Sequence, residues 1–341
     1  MRVALLAPLR FPLAEPFAGG LEWHAHVLAR ELTGRGLDVT VFAHPDSRVA
    51  GTLVPVAIPK NASNWTYAAV LYRLAKRLRK ADFDVVLNNT IHFFPDLFRP
   101  ADLPMISVLH TPPYRLHRLL GRFVRARSRF VSISRVLAKT WRPYLGDAPV
   151  VIHNGVDTER WRFGPVAEPR TAVWYGRFTP EKGAEYAIRA ARAAGWRLRL
   201  AGPVYDAGYF QTVVEPLLGG DVEYLGHLDQ AALVEVVRTA AVGLVTPVWD
   251  EPFGLVYAEL LSCGVPVVGF RSGAAAEVLT EAVSTLVGRG EEGALTRVLR
   301  DWEEQGEEAR GGNRAYAVGR FGVGVMVAGY VEMMESIFLE E

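Results

Sequence analysis

Cysteine and long apolar runs are both scarce in this chain of 341 residues. Cysteine occurs once, at Cys263, so no disulfide can form within the chain and a structural thiolate zinc site is disfavoured. A reducing cytoplasmic setting is the simplest expectation. No stretch of about 18 uncharged apolar residues is present, so no membrane-spanning helix is predicted. The apolar start meets Pro and Arg almost at once, which favours a buried strand over a signal peptide.

Charge is balanced overall but unevenly distributed along the chain. Residues 1–165 hold 23 Lys and Arg against 12 Asp and Glu, whereas the remaining residues hold 15 against 25. Opposite charges on the two halves suit two lobes that face each other across a cleft. The length exceeds that of one average domain. We therefore expect an N-terminal domain over 1–163, a C-terminal domain over 164–320 and a last helix over 321–341 that packs back toward the N-terminal domain.

Short apolar strands alternate with helical segments in both halves, which predicts two doubly wound parallel sheets of Rossmann type. In such sheets, ligands bind at the carboxyl ends of the strands, in loops that open helices. The expected strands are Arg2–Pro8, Asp38–Ala43, Asp84–Asn88, Met105–His110, Phe130–Ile133, Pro149–His153, Thr171–Gly176, Arg197–Gly202, Val222–Leu225, Ala241–Thr246 and Pro266–Phe270. The expected helices include Gly20–Thr33, Ala184–Ala194, Ala231–Thr239, Val256–Ser262 and Gly322–Leu339.

Two glutamates, Glu251 and Glu259, stand eight residues apart in front of an apolar run. As continuous helix this spacing is about 12 Å of rise, which places both carboxylates on roughly one face. They would then be far enough apart to hold opposite ends of an elongated polar ligand. The alternative is a helix capped near Asp250 or Glu251 with a solvated Glu259. The apolar run after Glu259 favours a buried helix, in which a carboxylate needs a partner.

Two strand-to-helix loops have the residues of a phosphate site. Gly19 and Gly20 open the first helix, where backbone N–H groups can approach an anion, or form a turn without a ligand. This first loop has no G-x-G-x-x-G, which disfavours a nicotinamide-dependent dehydrogenase. Arg177 and Lys182 lie between a strand and a helix, where their cations suit phosphate oxygens. The alternative there is a solvated loop or an ion pair of Arg177 with Glu181.

The first half adds a histidine and a basic segment. His110 ends a strand, where it can bind a sugar hydroxyl or a developing charge, a buried structural histidine being the alternative. Nine Lys or Arg and no acidic residue lie within 115–142. Apolar residues recur there at helical spacing, which predicts a basic amphipathic helix that contacts an anionic membrane, receives an anionic acceptor or packs its apolar stripe on the core. Nucleic acid is disfavoured because no stacking platform accompanies the charge. The apolar positions are Leu116, Leu119, Leu120, Phe123 and Val124.

These motifs together resemble the retaining glycosyltransferases of family four, which have the GT-B fold of two Rossmann-like domains facing across a cleft. The resemblance covers nearly the whole chain. Glu251–Val268 matches the family's E-x7-E segment and following strand, and Gly176–Gly183 matches its second signature. One departure is Ala274, which stands where the second glycine of Gly-Gly-x-x-Glu is more usual. Weaker matches in the family's order are Gly19-Gly20-x-Glu22, Val131-Ser-x-Ser134 and Asn154-Gly-Val-Asp157.

The resemblance implies a role for each matching position. Arg177 and Lys182 would bind the diphosphate of the donor, and Glu259 would hold the ribose hydroxyls. Glu251 and His110 would contact the donor sugar, so that His110, Glu251, Arg177 and Lys182 form the catalytic set. The other implied donor-binding positions are Gly19 and Gly20 at the diphosphate, Phe253, Gly254 and Leu255 through their amides near the sugar, and Gly202, Pro203, His227 and Leu228 around the base.

The implied reaction is retaining transfer of a sugar from a nucleoside-diphosphate sugar, commonly UDP-linked in the family, to a hydroxyl of a small-molecule or glycan acceptor. No metal or other cofactor is expected, because cations and amides can neutralise the leaving diphosphate. The pair Asp82 and Asp84 opens a strand, the wrong end for a ligand site.

Several readings of the pathway and location stay open at this point. An excess of Arg over Lys is typical of high-GC bacteria, and small family members of this kind occur in antibiotic and other natural-product pathways, such as that of avilamycin. The alternatives are a nucleotide-sugar 2-epimerase of the same fold, a non-catalytic nucleotide-sugar-binding or membrane-scaffold protein, and a lipid or glycan glycosyltransferase at a membrane surface. The last of these would be peripheral at the inner membrane face, through the segment 115–142.

Overall fold

The computed structural model describes residues 1–59, 62–78, 82–125 and 128–338. The chain forms two compact units, one of Met1–Gly155 with Val323–Glu341 and one of Val156–Gly322. Arg127, within the basic segment, and residues 339–341, at the end of the expected last helix, lie outside the described residues.

The first unit is built on a parallel sheet. Within its described residues the sheet has seven strands in the order β3-β2-β1-β4-β5-β6-β7, so the chain winds outward from β1 in both directions, as the alternating pattern predicts. The strands are β1 (Arg2–Leu6), β2 (Asp38–Ala43), β3 (Thr52–Pro55), β4 (Val85–Asn88), β5 (Met105–Leu109), β6 (Arg129–Ser132) and β7 (Val150–Val151). The helices between them are α1 (Gly20–Gly34), α2 (Asn64–Leu78), α3 (Phe94–Phe98), α4 (Arg115–Val124) and α5 (Arg135–Leu145).

The second unit repeats this plan with a parallel sheet of six strands in the order β10-β9-β8-β11-β12-β13. Its strands are β8 (Glu168–Tyr175), β9 (Arg197–Ala201), β10 (Val222–Tyr224), β11 (Ala240–Val245), β12 (Val267–Phe270) and β13 (Ser284–Val287). Its helices are α6 (Ala184–Ala194), α7 (Ala207–Tyr209), α8 (Gln230–Arg238), α9 (Leu255–Ser262), α10 (Ala275–Val278), α11 (Glu292–Arg300) and α12 (Glu307–Phe321). All the strands and helices expected from the sequence are present in the two units, with ends shifted by a few residues.

The last helix, α13 (Val323–Phe338), belongs to the first unit and packs on α1. The Tyr330 hydroxyl on α13 lies 3.4 Å from His24 Nε2 on α1. Near the end of the first part of the unit, the Gly155 N–H donates to Met326 Sδ at 3.0 Å. In the described part of the chain, no helix is long and apolar enough to cross a bilayer.

A fully buried arginine on α12 organises the start of the second unit. The Arg310 guanidinium donates to the carbonyls of Gly164 at 2.6 Å, Ala240 at 2.9 Å and Arg238 at 2.8 Å. A buried charge is tolerated only when it is hydrogen-bonded, and these three carbonyls supply the partners. Arg310 therefore ties the segment before β8 to the first residues of β11.

Candidate functional site

The loop between β11 and α9 corrects the geometry expected for the two glutamates. Helix α9 begins only at Leu255, and Gly254 precedes it with a φ of +78°. Glu251 therefore lies in the loop, and Glu259 is on the helix, so the two carboxylates do not share one helical face. The capping alternative is wrong as well, because the residue at the N-cap is Gly254 and makes no side-chain hydrogen bond.

Glu251 is paired with the cation expected to bind phosphate. Lys182 Nζ lies 2.5 Å from Glu251 Oε2, and Trp249 Nε1 donates to the same oxygen at 3.2 Å. The ammonium also lies 5.5 Å from the centre of the Trp249 ring, within the range of a cation–π contact. Both side chains of the pair are largely shielded, with 23% of Lys182 and 13% of Glu251 exposed. The predicted phosphate and sugar residues are thus in direct contact.

Backbone contacts bring the Lys182 turn to this loop. Lys182 closes a short 3-10 turn after β8, and Gly183 follows it with a φ of +65°. A Cβ on Gly183 would lie 2.3 Å from the Thr246 carbonyl oxygen, so only glycine permits this approach. The Thr246 hydroxyl donates to the Gly183 carbonyl at 2.7 Å, and the Val248 N–H donates to the Glu181 carbonyl at 2.9 Å. The carboxyl ends of β8 and β11 are joined in this way.

Contacts with residues 272–274 fix the backbone of the loop that contains Glu251. The Ala274 N–H donates to the Glu251 carbonyl at 2.9 Å, and a Cβ on Gly273 would lie 2.2 Å from that same oxygen. The Ser272 hydroxyl donates to the Trp249 carbonyl. Ala274 is fully buried and makes the contact through its backbone, so alanine is accommodated where the family more often has glycine.

Glu259 lies apart from this pair and has a different partner. The hydroxyl of Tyr175, the last residue of β8, donates to Glu259 Oε2 at 2.9 Å. Burial raises the pKa of Glu259 to about 7, and the Tyr175 hydrogen bond only partly offsets this. Burial, followed by the charge of Glu259, raises the pKa of Tyr175 well above its ordinary value. The expectation that a carboxylate here needs a partner is confirmed.

Arg177 and the expected base-flanking residues lie at the neighbouring strand ends. Arg177 is exposed, and its guanidinium lies 5.2 Å from the centre of the Tyr205 ring. Gly202 has a φ of +141°, and a Cβ there would lie 1.9 Å from the Gly176 carbonyl oxygen. The Gly202 N–H donates to the Gly226 carbonyl at 2.9 Å. The carboxyl ends of β8, β9 and β10 are therefore packed backbone against backbone.

The other expected donor-binding residues occupy the same edge of the second sheet. Pro203 follows Gly202 and is half-buried, while His227 is exposed and Leu228 half-buried in the loop after β10. Phe253 is buried against Phe321, with ring centres 5.7 Å apart, and so anchors the start of α9. Helix α9 starts at Leu255, and the first N–H groups of a helix have no partner within the helix, so they are donors of the kind that bind anions.

The first unit holds His110 in a buried polar cluster. His110 ends β5, and its Nε2 lies 2.9 Å from Oδ1 of Asn89, which follows the neighbouring strand β4. The His24 ring packs edge-on against His110 at 4.8 Å. Burial, followed by the His24 charge, lowers the pKa of His110 well below its ordinary value. Burial lowers the pKa of His24 to about 4. Both rings are therefore neutral near pH 7.

The glycine pair of the first unit lies at the start of α1, as predicted. Gly19 is the N-cap residue and Gly20 is the first, exposed residue of the helix. Glu22 lies buried in the first turn, and a Cβ on Gly19 would be 3.5 Å from its Oε2. A carboxylate at this position is favoured by the helix dipole.

A Gly-x-Gly-x-x-Gly sequence, which is absent from the loop before α1, does occur at Gly288–Gly293, between β13 and α11. The sequence reasoning missed it. The Glu291 carboxylate fills that turn, since a Cβ on Gly288 would lie 2.5 Å from Glu291 Cδ. The Gly288 N–H lies 3.3 Å from Glu291 Oε2. A carboxylate at this place repels a pyrophosphate, so the turn does not have the chemistry of a dinucleotide site.

The acidic pair at the start of β4 binds an arginine. The Arg2 guanidinium pairs with Asp82 and, at 3.2 Å, with Asp84. Among the described residues there is no group of three or more His, Cys, Asp or Glu side chains arranged to hold a metal ion.

Several site residues were missed by the sequence reasoning. Tyr175 ends β8, Asn89 directly follows β4, and Trp249 lies in the loop after β11, two residues before Glu251. That position at the carboxyl end of a parallel strand is the signal that would have found them. The structure joins Lys182 to Glu251 within the second unit, and His110 to His24 and Asn89 within the first.

Two family models match consecutive parts of the chain. Residues 18–160 match Glycosyltransferase Family 4, and residues 156–316 match Glycosyl transferases group 1. The chain is 28% identical to a D-inositol 3-phosphate glycosyltransferase of Acidothermus cellulolyticus, over 87% of this chain and 82% of that protein.

Solved structures with the same fold include one protein from a named pathway and one with named ligands. AviGT4, a glycosyltransferase involved in avilamycin A biosynthesis, covers 100% of this chain, with 98% of its own length aligned, a TM-score of 0.72 and 26% identity. HepE of Anabaena, in complex with UDP and glucose, covers 98% of this chain and is itself covered completely, at a TM-score of 0.77 and 19% identity. The HepE likeness shows the fold alone.

Proposed function

The chain belongs to the family 4 glycosyltransferases and has their two-domain GT-B fold, and we propose that it transfers a sugar from a nucleoside-diphosphate sugar to an acceptor hydroxyl with retention of the anomeric configuration. The observation that carries this proposal is the contact of Lys182 with Glu251 at the carboxyl ends of β8 and β11. A cation for phosphate and an acceptor for sugar hydroxyls meet there.

Lys182 is suited to serve both groups of the donor at once. An ammonium has three N–H donors, and one of them is directed at Glu251 Oε2, so two remain for phosphate oxygens. Both side-chain hydrogen bonds of Glu251 to described residues use Oε2, so Oε1 can accept from a sugar hydroxyl. Trp249 contacts both the ammonium and the carboxylate and so holds the two groups beside each other. The diphosphate and the sugar are thereby bound side by side.

Arg177 and α9 complete the proposed diphosphate site. The exposed Arg177 guanidinium offers a planar pair of donors to phosphate oxygens, and the amides that open α9 add uncharged donors. Glu259 on α9 accepts from the ribose hydroxyls in this proposal. In its anionic form it can take hydrogen bonds from both hydroxyls, while Tyr175 holds it in place.

The proposed chemistry is a front-side displacement. The acceptor oxygen bonds to the anomeric carbon on the face from which the diphosphate departs. The bond between that carbon and the β-phosphate oxygen breaks, and its electron pair stays on the phosphate. The acceptor proton passes to the leaving phosphate. Arg177, Lys182 and the α9 amides stabilise the negative charge that develops, which is why we propose that the reaction needs no metal.

Two likenesses guide the finer parts of the proposal. HepE shares the fold and was crystallised with UDP and glucose, so UDP is the donor nucleotide to test first. AviGT4 is 26% identical over the whole chain and acts in avilamycin A biosynthesis, which supports a natural-product acceptor. The chain is about equally identical to the D-inositol 3-phosphate glycosyltransferase, so a phosphorylated polyol is the second acceptor class to test.

Calorimetry with UDP, GDP and ADP tests the donor site directly. Hydrogen bonds to a charged group contribute about 1.5–3 kcal/mol, so Lys182→Ala should weaken UDP binding by roughly 10- to 100-fold. Lys139→Ala, an exposed lysine of the first unit, is the matched control and should bind like the parent protein. Equal UDP affinity in Lys182→Ala and the parent protein would contradict the diphosphate role.

Activity assays test the reaction itself. UDP-sugars are incubated with inositol 3-phosphate and with oligosaccharide acceptors, with and without EDTA. Proton NMR of the product should show the anomeric configuration of the donor. An inverted product would contradict retention, and a rate abolished by EDTA would contradict the metal-free reaction. An epimer formed from the donor alone would favour the 2-epimerase alternative.

A further inference from the structure

Helix α4 exposes the apolar residues that a core-packed helix would bury. Leu116 is 46% exposed, Leu119 64% and Phe123 55%. The helix instead packs on the unit through His117, Gly121 and Val124. The alternative that the apolar stripe packs on the core is therefore wrong for these three residues.

The exposed surface of α4 is divided into an apolar and a basic side. At roughly 100° per residue, Leu116, Leu119 and Phe123 fall within one narrow sector. Four exposed arginines fall in the adjacent sector, about a third of a turn away. They are Arg115, Arg118, Arg122 and Arg125. We call these seven residues the α4 ridge.

Exposed aromatic residues also lie on two further helices of the first unit, α2 and α3. Trp65 on α2 is 85% exposed, and Tyr72 on α2 and Phe98 on α3 are 37% and 38% exposed, with their rings 4.9 Å apart. Lys76 lies over the Tyr72 ring at 4.6 Å. Helix α3 contacts both α2 and α4, so the three helices are neighbours in the first unit.

We propose that the α4 ridge is a docking surface for an anionic lipid bilayer, into which Leu116, Leu119 and Phe123 insert at the level of the headgroups. Apolar side chains beside a row of arginines are the two contributions that attach an amphipathic helix to such a surface. Exposed Trp and Tyr rings are also the side chains preferred at the membrane interface. The row of four arginines without an acidic neighbour on α4 selects an anionic partner over a neutral one.

Vesicle flotation of the full chain tests this proposal without any donor or acceptor. We expect the protein to float with phosphatidylcholine vesicles that contain phosphatidylglycerol and to stay in the soluble fraction with phosphatidylcholine alone. Each arginine near an anionic surface is worth about fivefold in partitioning, so Arg118→Gln/Arg122→Gln should weaken binding by roughly 25-fold. The matched control is Arg189→Gln/Arg197→Gln, two exposed arginines of the second unit.

A separate variant tests the apolar side chains of the α4 ridge. Leu119→Ser/Phe123→Ser should lose at least tenfold in binding, whereas Val166→Ser, at a valine that is 74% exposed in the second unit, should change nothing. Circular dichroism and the affinity for UDP should be unchanged in all variants, because no residue of the α4 ridge belongs to the proposed donor site. No binding to anionic vesicles, equal binding to neutral vesicles, or ridge variants that bind like their controls would each overturn the proposal.

Discussion

Replacing Glu259 with glutamine should remove a pH-dependent loss of stability. Burial raises the pKa of Glu259 from 4.5 to about 7 in the folded protein. A carboxyl group with a higher pKa in the folded chain binds its proton more tightly there than in the unfolded chain. The stabilisation is therefore fully present below about pH 4.5 and is lost as the pH rises through about 7.

The size of the effect follows from the same two pKa values. A rise from 4.5 to about 7 corresponds to about 3 kcal/mol, and because Glu259 is only partly buried, solvent screening makes this an upper bound. Glutamine keeps the oxygen that accepts from Tyr175 and carries no charge. The parent protein should therefore lose up to ~3 kcal/mol relative to Glu259→Gln between about pH 4 and pH 8.

Urea denaturation across this pH range measures the difference. Tyr175→Phe removes the hydrogen bond that lowers the pKa of Glu259, so the transition should move to higher pH in that variant. For Glu223→Gln, at an exposed position of β10, the free energy of unfolding should depend on pH as it does in the parent protein. Parallel profiles for Glu259→Gln and the parent protein would refute the reasoning. In calorimetry, UDP affinity should rise more steeply through about pH 7 in the parent protein than in Glu259→Gln.

Two further substitutions test the backbone packing of the second unit, and a third tests the role of His110 in the first unit. Gly202→Ala should cost at least ~2 kcal/mol more than Gly195→Ala by thermal denaturation, because both glycines have positive φ but only the first would clash, with the Gly176 carbonyl. Arg310→Met should lower the free energy of unfolding by about 3 kcal/mol, since three carbonyls lose their buried donor; a change under ~1 kcal/mol would contradict this. His110→Ala should lower the rate of transfer at least tenfold with UDP affinity intact, and an unchanged rate would exclude His110 from the reaction.

The fold was largely readable from the sequence because central parallel strands are buried on both sides. Such strands appear as continuous apolar runs, as in Val85–Asn88 and Ala240–Val245. The elements missed were of another kind. β3 and β13 are half-exposed strands at the sheet edges, and α11 and α12 carry a charged residue at about every third position. Their patterns are too polar to be separated from loops by periodicity alone.

The candidate site was predictable as a set of residues but not as a geometry. Arg177, Lys182, Glu251 and Glu259 all follow from motif and strand position. That Lys182 meets Glu251 depends on the backbone contact of Gly183 with Thr246, between segments more than sixty residues apart. The expectation of one helical face for the glutamates failed because the positive φ of Gly254 delays the start of α9.

The sequence by itself determined two doubly wound sheets, the family, and which side chains stand at the ends of strands. Those properties follow from local periodicity and short motifs, which act over a few residues. Only the tertiary structure decided which charges are paired and which side chains are desolvated. Lys182 is held by Glu251, Glu259 has a pKa of about 7 beside Tyr175, and three apolar side chains of α4 face outward. Pairing and desolvation depend on neighbours from distant strands and helices, and no spacing along the chain specifies them.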